Sequence, residues 1–99
     1  TSKAAIVGMT RCLAVDLGPR VRVNAINPAA TATPMLLSGF KDMPDKLKEL
    51  AAMHPLGHIA EPDEVARTAV FLASDQASFI TGACLHVDGG ISARLHDPM

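Results

Sequence analysis

Three observations predict an α/β fold. Apolar residues recur at helical spacing from Thr1 to Leu17, a β-branched strand runs from Val21 to Ile26, and a second strand, Ala83 to Asp88, arrives after further helical segments. A strand, helix, strand unit of this length is most simply a right-handed parallel crossover. Two strands do not make a stable sheet, so the pattern calls for a larger sheet beside them.

In the first helix Ile6, Met9, Leu13 and Leu17 form one face, and Ala4, Ala5, Val7 and Ala14 cover much of the rest. A helix apolar on two sides needs cover on two sides, one from a sheet and one from a second subunit or another segment. Gly18-Pro19 ends it, since Pro cannot continue the helix. Alternation favours the strand Val21–Ile26, and Pro28, lacking a ladder donor, is expected to stop it. The loop that follows, Ala29-Ala30-Thr31-Ala32-Thr33, leaves the carboxyl end of a predicted parallel strand, which is where ligands bind in α/β proteins. An ordinary turn is the alternative reading at this point.

Pro34 opens a short helix through Phe40, and Pro44 a second from Asp45 to about Met53. Met35, Leu36, Leu37 and Phe40 make residues 35–58 an apolar insert, either a substrate lid or a helical hairpin that closes the core. His54-Pro55-Leu56-Gly57-His58 breaks the helix; two histidines four apart suit a metal only on a helix, and Pro55 with Gly57 argue against one, so no metal site is predicted. Glu61-Pro62-Asp63-Glu64 starts the next helix, with acids in its first turn and Val65, Ala69 and Leu72 beside Ala66, Val70 and Ala73 as its buried stripe. Ser74–Ser78 is turn-like, Gly82 marks a bend, and in the strand Ala83–Asp88 residues Leu85 and Val87 share a face. Gly89-Gly90 stops that strand, and residues 91–99 read as an unpatterned surface or subunit-contacting tail.

The 99 residues permit one domain at most. With 48% hydrophobic but only 3% aromatic residues, the core has to be aliphatic. A net charge of −1 with interspersed signs gives no electrostatic footprint for nucleic acid or an anionic membrane. No apolar run approaches the roughly 20 residues of a membrane span, and no leader pattern opens the chain. Cys12 and Cys84 lack ligand or redox spacing and read as buried hydrophobes in a reducing, cytoplasmic compartment. The chain begins inside a predicted helix with Thr rather than Met, so it reads as a truncated or processed piece.

Six short motifs stand in a telling order: Thr1-Ser2-Lys3-Ala4-Ala5, Val23-Asn24-Ala25-Ile26-Asn27-Pro28, Thr33-Pro34-Met35, Glu61-Pro62-Asp63-Glu64-Val65-Ala66, Phe71-Leu72-Ala73-Ser74 and Val87-Asp88-Gly89-Gly90. Together they resemble the C-terminal part of a short-chain dehydrogenase/reductase, from Thr1 to Gly90. The resemblance implies the C-terminal portion of a doubly wound, parallel-sheet Rossmann domain that binds NAD or NADP, with residues 1–99 supplying its last helices and last two strands. It implies an oxidoreductase that moves a hydride between the cofactor and a small alcohol or carbonyl substrate, in a homo-oligomer, tetramer or dimer.

The same resemblance implies a catalytic Tyr four residues before Lys3, hence the second residue before Thr1. The family's catalytic Ser, upstream Asn and Gly-rich turn would lie earlier still. Lys3 is the catalytic-motif residue that carries over. A phenol with a pKa near 10 is a poor acid-base group at neutral pH, and a nearby ammonium stabilises the phenolate by about 1.4 kcal/mol per pKa unit. The same ammonium can hydrogen-bond the nicotinamide ribose; without the Tyr, Lys3 is a solvated lysine. Pro28, Ala29, Thr31 and Thr33 are implied as the nicotinamide-side wall, with Ala29 standing where the family usually has Gly. Met35, Leu36, Leu37 and Phe40 are the expected substrate loop. The isolated chain is expected to be inactive, and the alternatives are a non-catalytic assembly fragment or a small complete binding domain.

Overall fold

The computed structural model describes the backbone from residue 2 to 95 and the side chains from 4 to 93. Its elements run α1 (Ser2–Leu17), β1 (Ala25–Pro28), α2 (Pro34–Gly39), α3 (Pro44–Ala52), α4 (Pro62–Ala73), a 3-10 turn (Asp75–Ala77), β2 (Cys84–Val87) and α5 (Ile91–Leu95). β1 and β2 pair as a two-stranded parallel sheet with flanking helices, as the crossover argument requires. The chain separates into two compact units, residues 1–27 with 68–85 and residues 28–67 with 86–99.

In the first unit, α1 buries little of its apolar surface. Thr10 and Ala14 are buried, the Thr10 hydroxyl donating back to the Ile6 carbonyl at 2.7 Å, whereas Met9 is 56% and Val15 80% exposed. The two-sided apolar helix therefore carries more surface than these residues cover. Leu72 and Ala77 complete the buried apolar set of this unit. A guanidinium clamp holds the chain after α4: Arg22 donates to the carbonyls of Leu72 at 2.8 Å, Ser74 at 3.0 Å and Ile80 at 3.3 Å. Asn24 adds a reciprocal pair, its amide nitrogen to Ile80 O at 2.9 Å and its amide oxygen accepting from Ala83 N at 3.0 Å.

These side-chain bonds explain why the first strand is displaced from its expected position at Val21–Ile26 to Ala25–Pro28. Val23 N donates to the Thr81 hydroxyl at 3.0 Å instead of to a strand neighbour, so residues 21–24 are anchored without being ladder residues. Pro28 closes the strand from inside, where its missing N–H costs no ladder bond. Gly82, at a φ of 75°, makes the bend before β2.

Two predicted faces need correction. In β2, Leu85 is 42% exposed while Val87 is half-buried, so they share no covered face; a two-stranded sheet is too narrow to bury one. On α4, Leu72 is buried but Val70 is 68% exposed and Ala66, Ala69 and Ala73 are exposed, so the expected stripe narrows to a single buried residue.

In the second unit, α2 and α3 both begin at a proline, as expected. α4 opens with Glu64 accepting from the Glu61 amide at 2.8 Å, half of a capping box, and Arg67 pairs with Asp63 at 3.2 Å one turn apart. Residues 91–95, expected to be unpatterned, form α5; five residues are too few to show a period. The Asp88 turn starts it, with Ile91 N donating to Asp88 O at 3.1 Å and the Ser92 hydroxyl to the Asp88 carboxylate at 2.5 Å. Residues 96–99 of the expected tail lie outside the described residues.

Candidate functional site

The loop after β1 is held open by pairing and not by glycine. Thr31 and Ala60 form an isolated parallel bridge, through Ala60 N to Ala30 O at 2.9 Å and Ala32 N to Ala60 O at 2.7 Å. No described residue other than glycine has a positive φ, so Ala29 meets no left-handed requirement where the family usually has Gly. The Thr31 hydroxyl donates to Ala29 O at 3.1 Å, and Thr33 N closes a tight turn onto Thr31 O at 2.7 Å. Thr33 then caps α2, its hydroxyl oxygen accepting from Leu36 N at 3.2 Å.

That arrangement leaves a defined set of groups for a ligand. The amides of Ala30 and Thr31 have no acceptor among the described residues. The Thr33 oxygen is engaged as acceptor and its proton has no partner there, because a hydroxyl both donates and accepts. Ala29, Ala30, Thr31 and Thr33 are half-buried, and their side chains are small enough to let a planar group approach the backbone. Of the expected substrate loop, Leu36 and Phe40 are half-buried, Leu37 is 42% exposed and Met35 85% exposed. The Lys3 side chain lies outside the described residues.

Beside this loop the second unit contains a cavity of about 440 Å³, lined among others by Ala29, Ala30, His54, Pro55, Leu56, Ala60, Val87, Gly89 and Gly90, with His58, Glu64, His86 and Asp88 also on its wall. Met35 to Phe40 do not line it. Leu56 N donates to Gly89 O at 3.1 Å and joins the two turns that form the wall. Gly89 and Gly90 both have positive φ, and a Cβ on Gly90 would lie 3.0 Å from Pro55 Cγ, so the close approach of these turns depends on glycine. The Ser92 hydroxyl is the main cause that holds the Asp88 carboxyl below its ordinary pKa of 3.8; partial burial opposes it, and the Gly90 amide, donating at 3.0 Å, adds to it. His54 lies in the bend after α3, outside any helix, and is 3% exposed. Its Nδ1 stands 2.8 Å from Leu50 O, and since a carbonyl only accepts, Nδ1 carries a proton, which in the neutral ring leaves Nε2 as an acceptor. No group of three metal-ligating side chains occurs among the described residues.

The sequence offered one usable signal for the cavity, the Gly89-Gly90 pair directly after a strand. Burial of His54 was not legible, because the packing that covers it comes from long-range folding.

Two parallel strands with flanking helices, the first opening at its carboxyl end into a small-residue loop, are the pattern of an open α/β domain. The family model described as enoyl-(acyl carrier protein) reductase matches residues 1–92. A 2,5-dichloro-2,5-cyclohexadiene-1,4-diol dehydrogenase of Sphingobium indicum is 46% identical over 93 residues, 93% of this chain and 37% of its own. The ligand-free aldohexose dehydrogenase of Thermoplasma acidophilum superposes with a TM-score of 0.85 at 40% identity, over 99% of this chain and 41% of its own. An oxidoreductase of the short-chain dehydrogenase/reductase family from Burkholderia thailandensis gives 0.84 at 38% identity, over 92% of this chain and 36% of its own. The chain belongs to the short-chain dehydrogenase/reductase family, whose members here are oxidoreductases, and its fold is a portion of that family's Rossmann domain. It spans little more than a third of the length of the relatives it matches, 37% in the first case.

Proposed function

We propose that the protein carrying this chain is an NAD- or NADP-dependent oxidoreductase acting on a small alcohol or carbonyl compound, and that residues 28–33 form its nicotinamide-side wall. The observation that carries this reading is the loop itself. Its bridge to Ala60 leaves the Ala30 and Thr31 amides and the Thr33 hydroxyl proton as donors beside half-buried alanines, which fits the oxygens of a carboxamide or a phosphate. Bound there, a nicotinamide dinucleotide supplies or accepts the hydride.

This chain's residues bind, orient and exclude water. Ala29 and Ala30 would offer a nicotinamide ring a methyl-lined support, and the loop donors would hold its polar group. Lys3 would lower the pKa of a Tyr two residues before Thr1, the group that would take or return the alcohol proton, and would hold the cofactor's ribose. Met35, Leu36, Leu37 and Phe40 close over the substrate. The exposed apolar residues of α1, Ile6, Met9 and Val15 among them, suit a homo-oligomer, tetramer or dimer, and the unpaired Cys12 and Cys84 suit the reducing cytoplasm.

The 99 residues alone lack any Tyr and are expected to be inactive. Turnover of NADH by this piece alone would contradict the division of labour. An encoded residue other than Tyr two positions before Thr1 would remove the proposed acid-base group. The rival reading, an assembly fragment without catalysis, is favoured by the exposed face of α1; sedimentation of a well-folded monomer would count against it.

A further inference from the structure

One buried polar side-chain atom among the described residues has no hydrogen-bond partner, Nε2 of His54. In the neutral ring the bond from Nδ1 to Leu50 O makes it a lone-pair acceptor, and leaving a buried acceptor unmet is destabilising. The Nδ1 bond accounts for one ring nitrogen, and nothing packed around the ring meets the other. The ring forms part of the wall of the 440 Å³ cavity, whose other lining includes Ala29, Ala30, Leu56 and Val87. That size and that mostly apolar lining with few polar groups are the attributes of a small-molecule site. The acids on its wall are committed elsewhere: Asp88 to Ser92 and the Gly90 amide, Glu64 to the Glu61 amide.

We propose that this cavity binds a compact, largely apolar molecule carrying a hydroxyl, and that the hydroxyl donates to Nε2 of His54. The nitrogen is itself covered, so the ligand reaches it by parting the wall around it. Leu56, 70% exposed and sitting in the turn between His54 and Gly57, is a wall residue with room to move. Ala29 and Ala30 belong to this cavity and to the proposed nicotinamide wall, which places the ligand next to the cofactor loop; the binding itself does not depend on hydride transfer.

The test is nitrogen NMR of the whole protein labelled with ¹⁵N-histidine, titrated with cyclohexanol and with methoxycyclohexane, which keeps the ring and the oxygen but has no proton to donate. Cyclohexanol is expected to move the His54 Nε2 resonance in the direction of a hydrogen-bonded acceptor and to bind about tenfold tighter than the ether, roughly 1.4 kcal/mol. In His54→Leu the two probes are expected to bind equally, by calorimetry. An Nε2 resonance that stays still at saturating cyclohexanol, or a preference that survives in His54→Leu, overturns the proposal. Because binding is read without cofactor, its outcome is independent of hydride transfer, and a failure of the oxidoreductase reading in an assay with cofactor would leave this one standing.

Discussion

Replacing Arg22 with Met keeps an unbranched aliphatic stem and removes the guanidinium from three carbonyls, Leu72 at 2.8 Å, Ser74 at 3.0 Å and Ile80 at 3.3 Å. Ile80 O retains the Asn24 amide at 2.9 Å, so the loss falls on Leu72 and Ser74, at the end of α4. A hydrogen bond from a charged donor contributes about 1.5–3 kcal/mol, and half-burial of Arg22 puts both bonds at the lower end, so the expected cost is about 3 kcal/mol. Urea unfolding of the whole protein, at a slope of about 1–3 kcal/mol per molar, then shows a midpoint lower by at least ~1 M with the slope unchanged. Arg22→Lys places a single ammonium where a fork spans separate carbonyls, and it should recover about half of the loss. A Met variant within 0.5 kcal/mol of the parent, on the order of the usual surface effect, would refute the clamp, as would full recovery by Lys.

Gly90→Ala combines a φ of 91° with a Cβ 3.0 Å from Pro55 Cγ, and is expected to cost about 1–3 kcal/mol, read from the thermal midpoint; a neutral result would mean the two turns are not in contact. Thr33→Val removes the cap acceptor and the ligand donor together. It should cost about 1 kcal/mol of stability and raise the cofactor KM several-fold, whereas Thr33→Ser should restore both. For Asp88 the folded pKa lies below the unfolded value of about 3.9, so its contribution is fully present above that value and is lost as pH falls through the depressed folded pKa. In Ser92→Ala the carboxyl titration, followed by NMR, should move up toward the ordinary value; an unchanged titration would mean that the 2.5 Å bond does not set it.

The elements that were legible in the sequence are those fixed by local chemistry. Pro34, Pro44 and Pro62 each open a helix because a proline without N–H fits a first turn, and Gly89-Gly90 ends a strand because its residues adopt positive φ. What the sequence did not disclose depends on partners far along the chain. Arg22 and Asn24 looked like alternate strand residues, yet their bonds reach residues 72–83 and delay pairing to Ala25. His54 lies in a bend as its Pro and Gly neighbours suggest, but its burial against Gly89, far along the chain, left no local pattern. At the candidate site the threonines and alanines of residues 29–33 suggest a ligand loop, but the bridge to Ala60 that leaves two amides free was not readable, since no local pattern encodes it.

The central claim is that the protein carrying this chain moves a hydride from a nicotinamide to a carbonyl carbon. Incubating the whole protein with nicotinamide cofactor deuterated at the transferring carbon and a panel of ketones and aldehydes, then locating the label by mass spectrometry, tests it most directly. Deuterium bonded to the carbinol carbon of an alcohol product is the result predicted. Formation of the alcohol without label, or no alcohol from any member of the panel, would contradict it.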